Sequence, residues 1–441
     1  MDGVLLVLPD HWNVKEMDSL LSKGKHVLLY GFPKQLSISN EERFTFQDLT
    51  FEKSLHVDSR LSLVGDQLLT LGFDAGLVLD VTAMSNKFVT KTDVAQAVSI
   101  SDDNLAGGKQ YTRLFAKSNE KGGRLVWMDF SPNKEDHAYS LNLNYFNGLI
   151  ASIFRFLDQD KPTYQAIALW PQGKKFAALL EEDTEDQYYE AQRVAEYFGS
   201  KNYPITWYVL SNDAQQYKSV TRLLAETGEM ACHGDNHQPF ILNSERQQHM
   251  RLARCKKVVK ALTNQTVYSF RPPEERHDNT TFSALANNDF RYFIGKTAVD
   301  RFVPQLYQNK EKTKSIVSMP RMGSDDYSLW SQYKMNAEDS INTLKHEADW
   351  VETVGGLYMF SFHTQYMGDD NHFHTVTGIA DYIAKKPVYF ALTSEIGEWW
   401  KVRAALQQKK AVSKDQFAKY QPVTLKVSKT GQLERSDVLF E

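Results

Sequence analysis

FAALLEEDTED, Phe176 to Asp186, is an apolar run of strand length that ends abruptly in acids. MACHGDNH, Met230 to His237, is a second such run, and it ends in two histidines four residues apart, His233 and His237. A carboxylate and two imidazoles delivered by the ends of neighbouring strands form the donor set of a three-ligand metal site with a position left for water. Asp183 is the natural third ligand, and Glu182 beside it a base. Strand alternation alone does not settle the register. Glu185 or Asp186 can take either place, because EEDTED holds five acids in six positions.

Around these two stretches a strand–helix rhythm repeats. FAALLE is followed by the helix-like DQYYEAQRVAEYF, and ITWYVL by AQQYKSVTRLLAETG, with Gly228 as a C-cap. EMACH is followed by SERQQHMRLARCKKVVKAL, and YSFR, RYFIG, SIVSMP, LYMFSFH and VYFALT come after it. Seven or eight strands separated by helices predict a (β/α) barrel, distorted or incomplete. Glu182 and Asp183, His233, Arg271 and His363 each fall at the C-terminal end of a predicted strand, the face where barrel active sites lie. Packing alone does not explain ionisable groups sent to one rim by separate strands.

The preceding part of the chain alternates GVLLVLP, HVLLYG, GLVLDV and GRLVWMDF with the helix-like WNVKEMDSLLSKGK and NYFNGLIASIFRFL. Such alternation predicts an open α/β sandwich with a buried parallel sheet. No GxGxxG or GxxxxGK[ST] phosphate loop is present. The polar DQDKPTYQ, Asp158 to Gln165, marks a boundary. The predicted division is 1–160 for an accessory domain, 161–405 for the barrel and 406–441 for an extension. In that extension PVTLKVSKTGQLERSDVLFE alternates like a hairpin and reads as the start of a further β domain. Both ends read as cut from a longer chain.

The bulk numbers bound the function. At 441 residues the chain exceeds one ordinary domain, and 42% hydrophobic residues support large cores. A net charge of −4 leaves no basic field for nucleic acid. Cys232 and Cys255 are too few for a disulfide framework and lack CxxC spacing for a metal. They leave the redox compartment open. No stretch approaches the ~20 apolar residues of a membrane span, and LIASIFRFL is short and interrupted by Arg155. Met1-Asp2-Gly3 leads directly into a strand-like run without a secretory signal.

Single residues carry alternatives. With 12 histidines, roughly a third of one HxxxH pair arises by chance, so the pair gains its weight from the strand end and the acids. His372 and His374, with Asp369 and Asp370, form a rival cluster that reads as a solvated loop, and His346 reads as an ordinary helical residue. Arg271, followed by two prolines, either holds a base ionised or pairs with surface acids. His363 is either a general acid or a satisfied core histidine.

Taken together the segments resemble the polysaccharide deacetylases, the NodB-homology carbohydrate esterases. A strand ending TFDDG is matched by LLEEDT, H[ST]xxH by HGDNH, RxPY by RPPE and the closing LxH by FSFH, in order across residues 165 to 402. The front part resembles glutamine-amidotransferase-like accessory domains, although no cysteine precedes Cys232, which excludes their cysteine chemistry. The combined arrangement is similar to the deacetylase of Pel exopolysaccharide synthesis. The resemblance implies Asp183, His233 and His237 as ligands of a divalent ion, zinc above all. It implies Glu182 as base, His363 as general acid, Arg271 as holder of the base and the Glu274 N–H as oxyanion donor. A loose echo of the fourth motif makes Asp325, Asp326 and Trp330 substrate-binding candidates. Three positions depart from the pattern: glutamate at 182 where aspartate is usual, Thr184 for glycine and Glu274 for an aromatic. The implied reaction is removal of N-acetyl groups from an amino-sugar polysaccharide. The implied setting is periplasmic or extracellular, with other polysaccharide-biosynthesis proteins as partners. Trp170, Trp207, Trp330, Trp399 and Trp400 are candidates for sugar stacking. Two other readings stand beside this one: a glycan-binding or assembly module without turnover, and a glycosidase using two rim carboxylates, against which the histidine pair argues.

Overall fold

The computed structural model describes residues 4–11, 13–31, 43–46, 49–53, 60–71, 76–84, 87–90, 95–99, 111–133, 139–158, 165–295, 300–308 and 314–438. The front part contains β1 (Leu5–Val7), β2 (His26–Tyr30), β3 (Arg43–Phe46), β4 (Leu49–Lys53), β5 (Arg60–Leu63) and β6 (Val78–Ala83). It continues with β7 (Lys87–Thr90), β8 (Ala95–Ser99), β9 (Tyr111–Thr112), β10 (Leu114–Ser118), β11 (Arg124–Met128) and β12 (Phe130–Pro132). Eight of them make one sheet in the order β1-β2-β11-β10-β8-β5-β6-β12, and β3, β4, β7 and β9 make a small second sheet.

The four apolar runs of the front part are all strands, but only the β1–β2 and β2–β11 pairings are parallel. The remaining neighbours of the large sheet run antiparallel, which corrects the expected parallel sheet. Leu28, Leu61, Leu79 and Val126 on this sheet pack with Leu149, Ile153 and Phe156 of the helix Tyr139–Leu157. The predicted first helix is Val14–Ser22, where the Asn13 side chain accepts from the Lys15 and Glu16 N–H groups. The expected boundary at Asp158–Gln165 lies largely outside the described residues.

The second part holds β13 (Gln165–Ile167), β14 (Phe176–Thr184), β15 (Thr206–Leu210), β16 (Glu229–Gly234), β17 (Ser269–Phe270) and β18 (Tyr292–Ile294). After them come β19 (Gln305–Gln308), β20 (Ser315–Met319), β21 (Leu357–His363), β22 (Val388–Phe390), β23 (Val423–Val427) and β24 (Leu433–Asp437). The curled sheet runs β19-β20-β18-β17-β16-β15-β14-β21, and β22 also pairs β14. It is parallel apart from β19 on β20. All eight apolar runs predicted for the barrel are in this sheet. The one strand not foreseen, QLYQ of β19, lacks an apolar run.

Alternation along the strands sorts their side chains into two cores. Ala177, Leu179, Tyr208, Ala231 and Met359 face inward together. Ala178, Leu180, Val209, Cys232 and Phe360 face the helices, against Val194, Leu224, Leu252 and Leu344. Trp170, Trp207 and Trp399 are fully buried, and Trp330 and Trp400 nearly so, which makes them core and removes them as a sugar-stacking surface. β23 and β24 form the expected hairpin. β23 also pairs β13, and Leu425 and Val427 enter the core of the front sheet. Among the described residues no helix is long and apolar enough to cross a membrane.

Candidate metal centre

The alternation that sorts the core also sorts the acids. Glu181 and Asp183 continue the inward face of β14, whereas Glu182 continues the face that carries Ala178 and Leu180. Glu182 is fully buried, and neither carboxylate oxygen has a hydrogen-bond partner among the described residues. Burial, and then the charge of Asp326, push its carboxyl well above the usual range. It does not line the cleft. The base expected at Glu182 is thus absent from the site: adjacent strand residues point to opposite faces.

The carboxylate that meets the two histidines is Glu185. Its Oε1 lies 3.1 Å from His233 Nε2 and 2.9 Å from His237 Nε2. The expected ligand set is Asp183, His233 and His237; here Glu185 stands nearest the two histidines, and Asp183 groups with Glu185 and His363. Asp183 Oδ1 approaches His233 at 3.9 Å on the Nδ1 side, behind the ring, while the ligand atoms of Glu185, His233 and His237 all lie within 4.8 Å of one another. Residues 183 and 185 share a face, but β14 ends at Thr184, so the longer glutamate leaves the sheet and reaches over the rim.

His233 sits where the β15–β16 register slips, with Val209 opposite Cys232 and Leu210 opposite Gly234. Such a bulge re-aims a side chain. Gly234 takes φ +115°, a conformation that L side chains rarely adopt. His233 Nδ1 is 3.0 Å from the Arg271 carbonyl oxygen, so the Nδ1–H tautomer donates there and turns the Nε2 lone pair toward Glu185. An Nε2 lone pair and a carboxylate oxygen turned toward each other can share one cation. Two imidazole nitrogens and a carboxylate oxygen suit a divalent ion such as zinc. The hydrogen bond with Glu185 raises the pKa of His237. Burial works to raise Glu185, yet the bonds from His233 and His237 hold its carboxyl far below the usual range.

Asp183 lies beside the ligand group. Its Oδ2 is 3.2 Å from Arg271 Nε and 3.5 Å from His363 Nε2. Arg271, 3% exposed, also pairs with Glu181, reaches Glu275 at 3.5 Å and donates to Ser361 Oγ at 2.6 Å. His363 follows in the register opposite Asp183. The fully buried Asp326 accepts from both its backbone N–H and its Nδ1, each at 2.6 Å, leaving Nε2 toward the cleft. Burial disfavours the imidazolium, but the charge and hydrogen bond of Asp326 outweigh it and raise the pKa to about 10.

The cleft over these groups has a volume of about 730 Å³. Glu274 lines it with φ 55°, and its side chain pairs with Arg276 at 3.3 Å. Asp325 pairs with Arg321 and accepts from the Ser328 N–H at 2.7 Å. Trp330 does not line the cleft; it stacks on His372 with ring centroids 3.8 Å apart. His374 turns to the Asp370 carbonyl. Glu275, Arg321 and the exposed Tyr327 do line the cleft and were not foreseen. Arg321 lies between elements with no periodicity to mark it, whereas Glu275 directly follows RPPE and Tyr327 falls within SDDYSLW. Cys232 and Cys255 are joined by a disulfide, both fully buried, a pairing two isolated cysteines did not signal.

Comparison with known proteins places these observations. The sequence model of the polysaccharide deacetylase family matches residues 171–293. No curated protein matches the chain. Among solved structures, a candidate polysaccharide deacetylase of Mycobacterium smegmatis is 19% identical with a TM-score of 0.50, covering 56% of this chain and 97% of its own. Puue allantoinase is 16% identical, TM-score 0.48, over 53% of this chain and 92% of its own. A candidate polysaccharide deacetylase of Pseudomonas aeruginosa PAO1 is 17% identical, TM-score 0.47, over 53% and 93%. The first of these shares the barrel fold. Over residues 171–293 the chain is therefore similar in sequence to polysaccharide deacetylases, on a (β/α) barrel found in a protein of that description.

Proposed function

We propose that this chain is a metal-dependent hydrolase that removes N-acetyl groups from an amino-sugar polysaccharide, with Asp183 rather than Glu182 as its base. The observation that carries the reading is the convergence of Glu185, His233 and His237 beside two prepared pairs, Asp183–Arg271 and His363–Asp326. A divalent ion held by Glu185, His233 and His237, most naturally zinc, would supply Lewis-acid activation of a water and of the acetamide oxygen.

The side chains do the rest. Asp183, oriented by the Arg271 guanidinium 3.2 Å away, takes the proton of the attacking water, a role typically worth ~10²–10⁴-fold in rate. The water oxygen adds to the acetamide carbon, and the C–N bond then breaks. His363 is protonated at neutral pH and gives its Nε2 proton to the departing amine, while Asp326 fixes the ring through Nδ1. The products are acetate and a free amino sugar. The Glu274 N–H as oxyanion donor, and the cleft-side Asp325 and Tyr327 as sugar contacts, belong to the same proposal. So do the periplasmic or extracellular setting, a Pel-like exopolysaccharide context, the division near residues 160 and 405, and an amidotransferase-like accessory role for the front part.

Acetate release from N-acetylated amino-sugar oligomers, with and without a chelator, tests the reading. Release that stops with chelator and returns with zinc is expected. No acetate from any such polymer in the presence of metal would instead favour a glycan-binding module.

A further inference from the structure

His233 is oriented from behind by the Arg271 carbonyl, but His237 has no such support. Among the described residues its ring meets only Glu185 and the His233 ring, and its side chain is 41% exposed. Its position therefore depends on the backbone of the loop Gly234-Asp235-Asn236 that joins the two histidines. The Asn212 N–H donates to the Asp235 carbonyl at 3.1 Å and the Gly234 N–H to Cys232 Sγ at 3.3 Å, but the side chains of Asp235 and Asn236 are both held by one group. Arg251, on the helix Glu245–Thr263 and only 9% exposed, donates from Nε to Asp235 Oδ1 at 2.6 Å. Its Nη2 reaches the Asn236 carbonyl at 3.0 Å and Asn236 Oδ1 at 2.8 Å, and its Nη1 reaches Asn243 Oδ1 at 2.9 Å. The guanidinium also lies over the Phe240 ring, 4.3 Å from its centroid. The same helix is tied to the residue before His233 through the Cys232–Cys255 disulfide.

We infer that Arg251 is a positioning residue for the metal centre: by bonding the loop at Asp235, Asn236 and Asn243 it holds His237 where it can share an ion with His233 and Glu185. This rests on the reading of those three residues as metal ligands. The rigid fork of the guanidinium is what lets one side chain hold two loop residues and the chain beyond them, which an ammonium does not do. Partners of this kind are commonly worth ~10–100-fold in metal affinity.

The test is zinc affinity of the full chain, measured by competition with a chromophoric chelator, which needs no turnover. Arg251→Met is expected to bind zinc ~10–100-fold more weakly than wild type, and Arg251→Lys to recover only part of the loss. Lys257→Met, at an exposed position of the same helix, is the control and stays within about 2-fold of wild type. If circular dichroism shows Arg251→Met unfolded, Asp235→Ala takes its place, with a loss in the same direction expected. Equal affinity in wild type and Arg251→Met, or in wild type and Asp235→Ala, would overturn the inference while leaving the metal centre standing. A wild-type chain that binds no zinc would remove the metal centre itself, and the positioning role with it.

Discussion

Asp183 and His363 face each other at paired positions of β14 and β21, with the sheet beneath them, whereas Glu185 and His237 stand beyond the strand ends, on chain that the sheet does not reach. The first side is held by backbone register and by two buried partners, Arg271 and Asp326. The second depends on a bulge at His233, a glycine in a left-handed conformation and an arginine reaching across from a helix. On the proposed roles the difference separates two tasks. The proton-moving groups sit on rigid strands, where a fixed approach to the reacting atoms matters. Of the proposed ligands, His233 stands at the end of β16, while Glu185 and His237 sit on chain whose order is supplied from outside.

Substitutions separate the two sides. Asp183→Asn keeps the shape but cannot accept the water's proton, so the rate falls ~10²–10⁴-fold while zinc affinity stays within a few-fold. Glu185→Gln does the reverse, losing more zinc affinity than the ~10–100-fold typical of an outer partner. If Asp183→Asn lost zinc as severely as Glu185→Gln, the distinction between base and ligand would fail. Chelator competition and acetate release, run on both variants, give the answer.

The disulfide sharpens the loop side. It joins cysteines 23 positions apart in sequence, and cross-links of that span contribute about 3 kcal/mol. Unfolded without reductant, the protein should show no free thiols. Reduction should lower its urea midpoint. Two titratable thiols in unreduced protein would contradict the pairing.

The strand side has a pH signature. His363 has its pKa raised in the folded state from 6.5 to about 10, so the stabilisation it contributes is complete below its unfolded value and is lost as pH rises through about 10. In metal-free protein the stability difference between wild type and His363→Gln should therefore be largest near pH 6 and shrink toward pH 10 and above. A difference that grew with pH would mean the Asp326 pair does not hold the imidazolium.

The smallest effect is expected at Glu182. A fully buried carboxyl that faces the helices, its pKa raised by burial, should tolerate Glu182→Gln with less than about a 3-fold change in rate and little change in stability. A collapse of activity with zinc still bound would restore Glu182 as the base.

This last residue shows where the sequence stops being legible. The barrel strands could be read because runs such as LYMFSFH and ITWYVL are buried on both faces and carry continuous apolar residues. The antiparallel strands of the front sheet, AQAVS and LFAKS among them, are short and half polar, and their pairing direction leaves no mark. At the site, the histidine pair, Asp183, Arg271 and His363 all reach the cleft that their strand ends foretold. Which acids face the cleft did not follow, because a motif of adjacent acids set the slots at 182 and 183 while a strand shows one face at 181, 183 and 185. The alternative at Glu185 was visible in EEDTED; choosing it required the point where β14 ends. Arg251 and Arg321 carried no signal at all, since each acts through a loop brought near only by folding.

The central claim is that one divalent ion is shared by Glu185, His233 and His237, with Asp183 outside its ligand sphere. An anomalous-difference map from zinc-soaked crystals, recorded at the zinc edge, tests it most directly. The account predicts one peak at roughly 2.0–2.2 Å from a Glu185 oxygen and from Nε2 of both histidines. A peak bonded to Asp183 in place of Glu185, or no peak between the histidines, would contradict it.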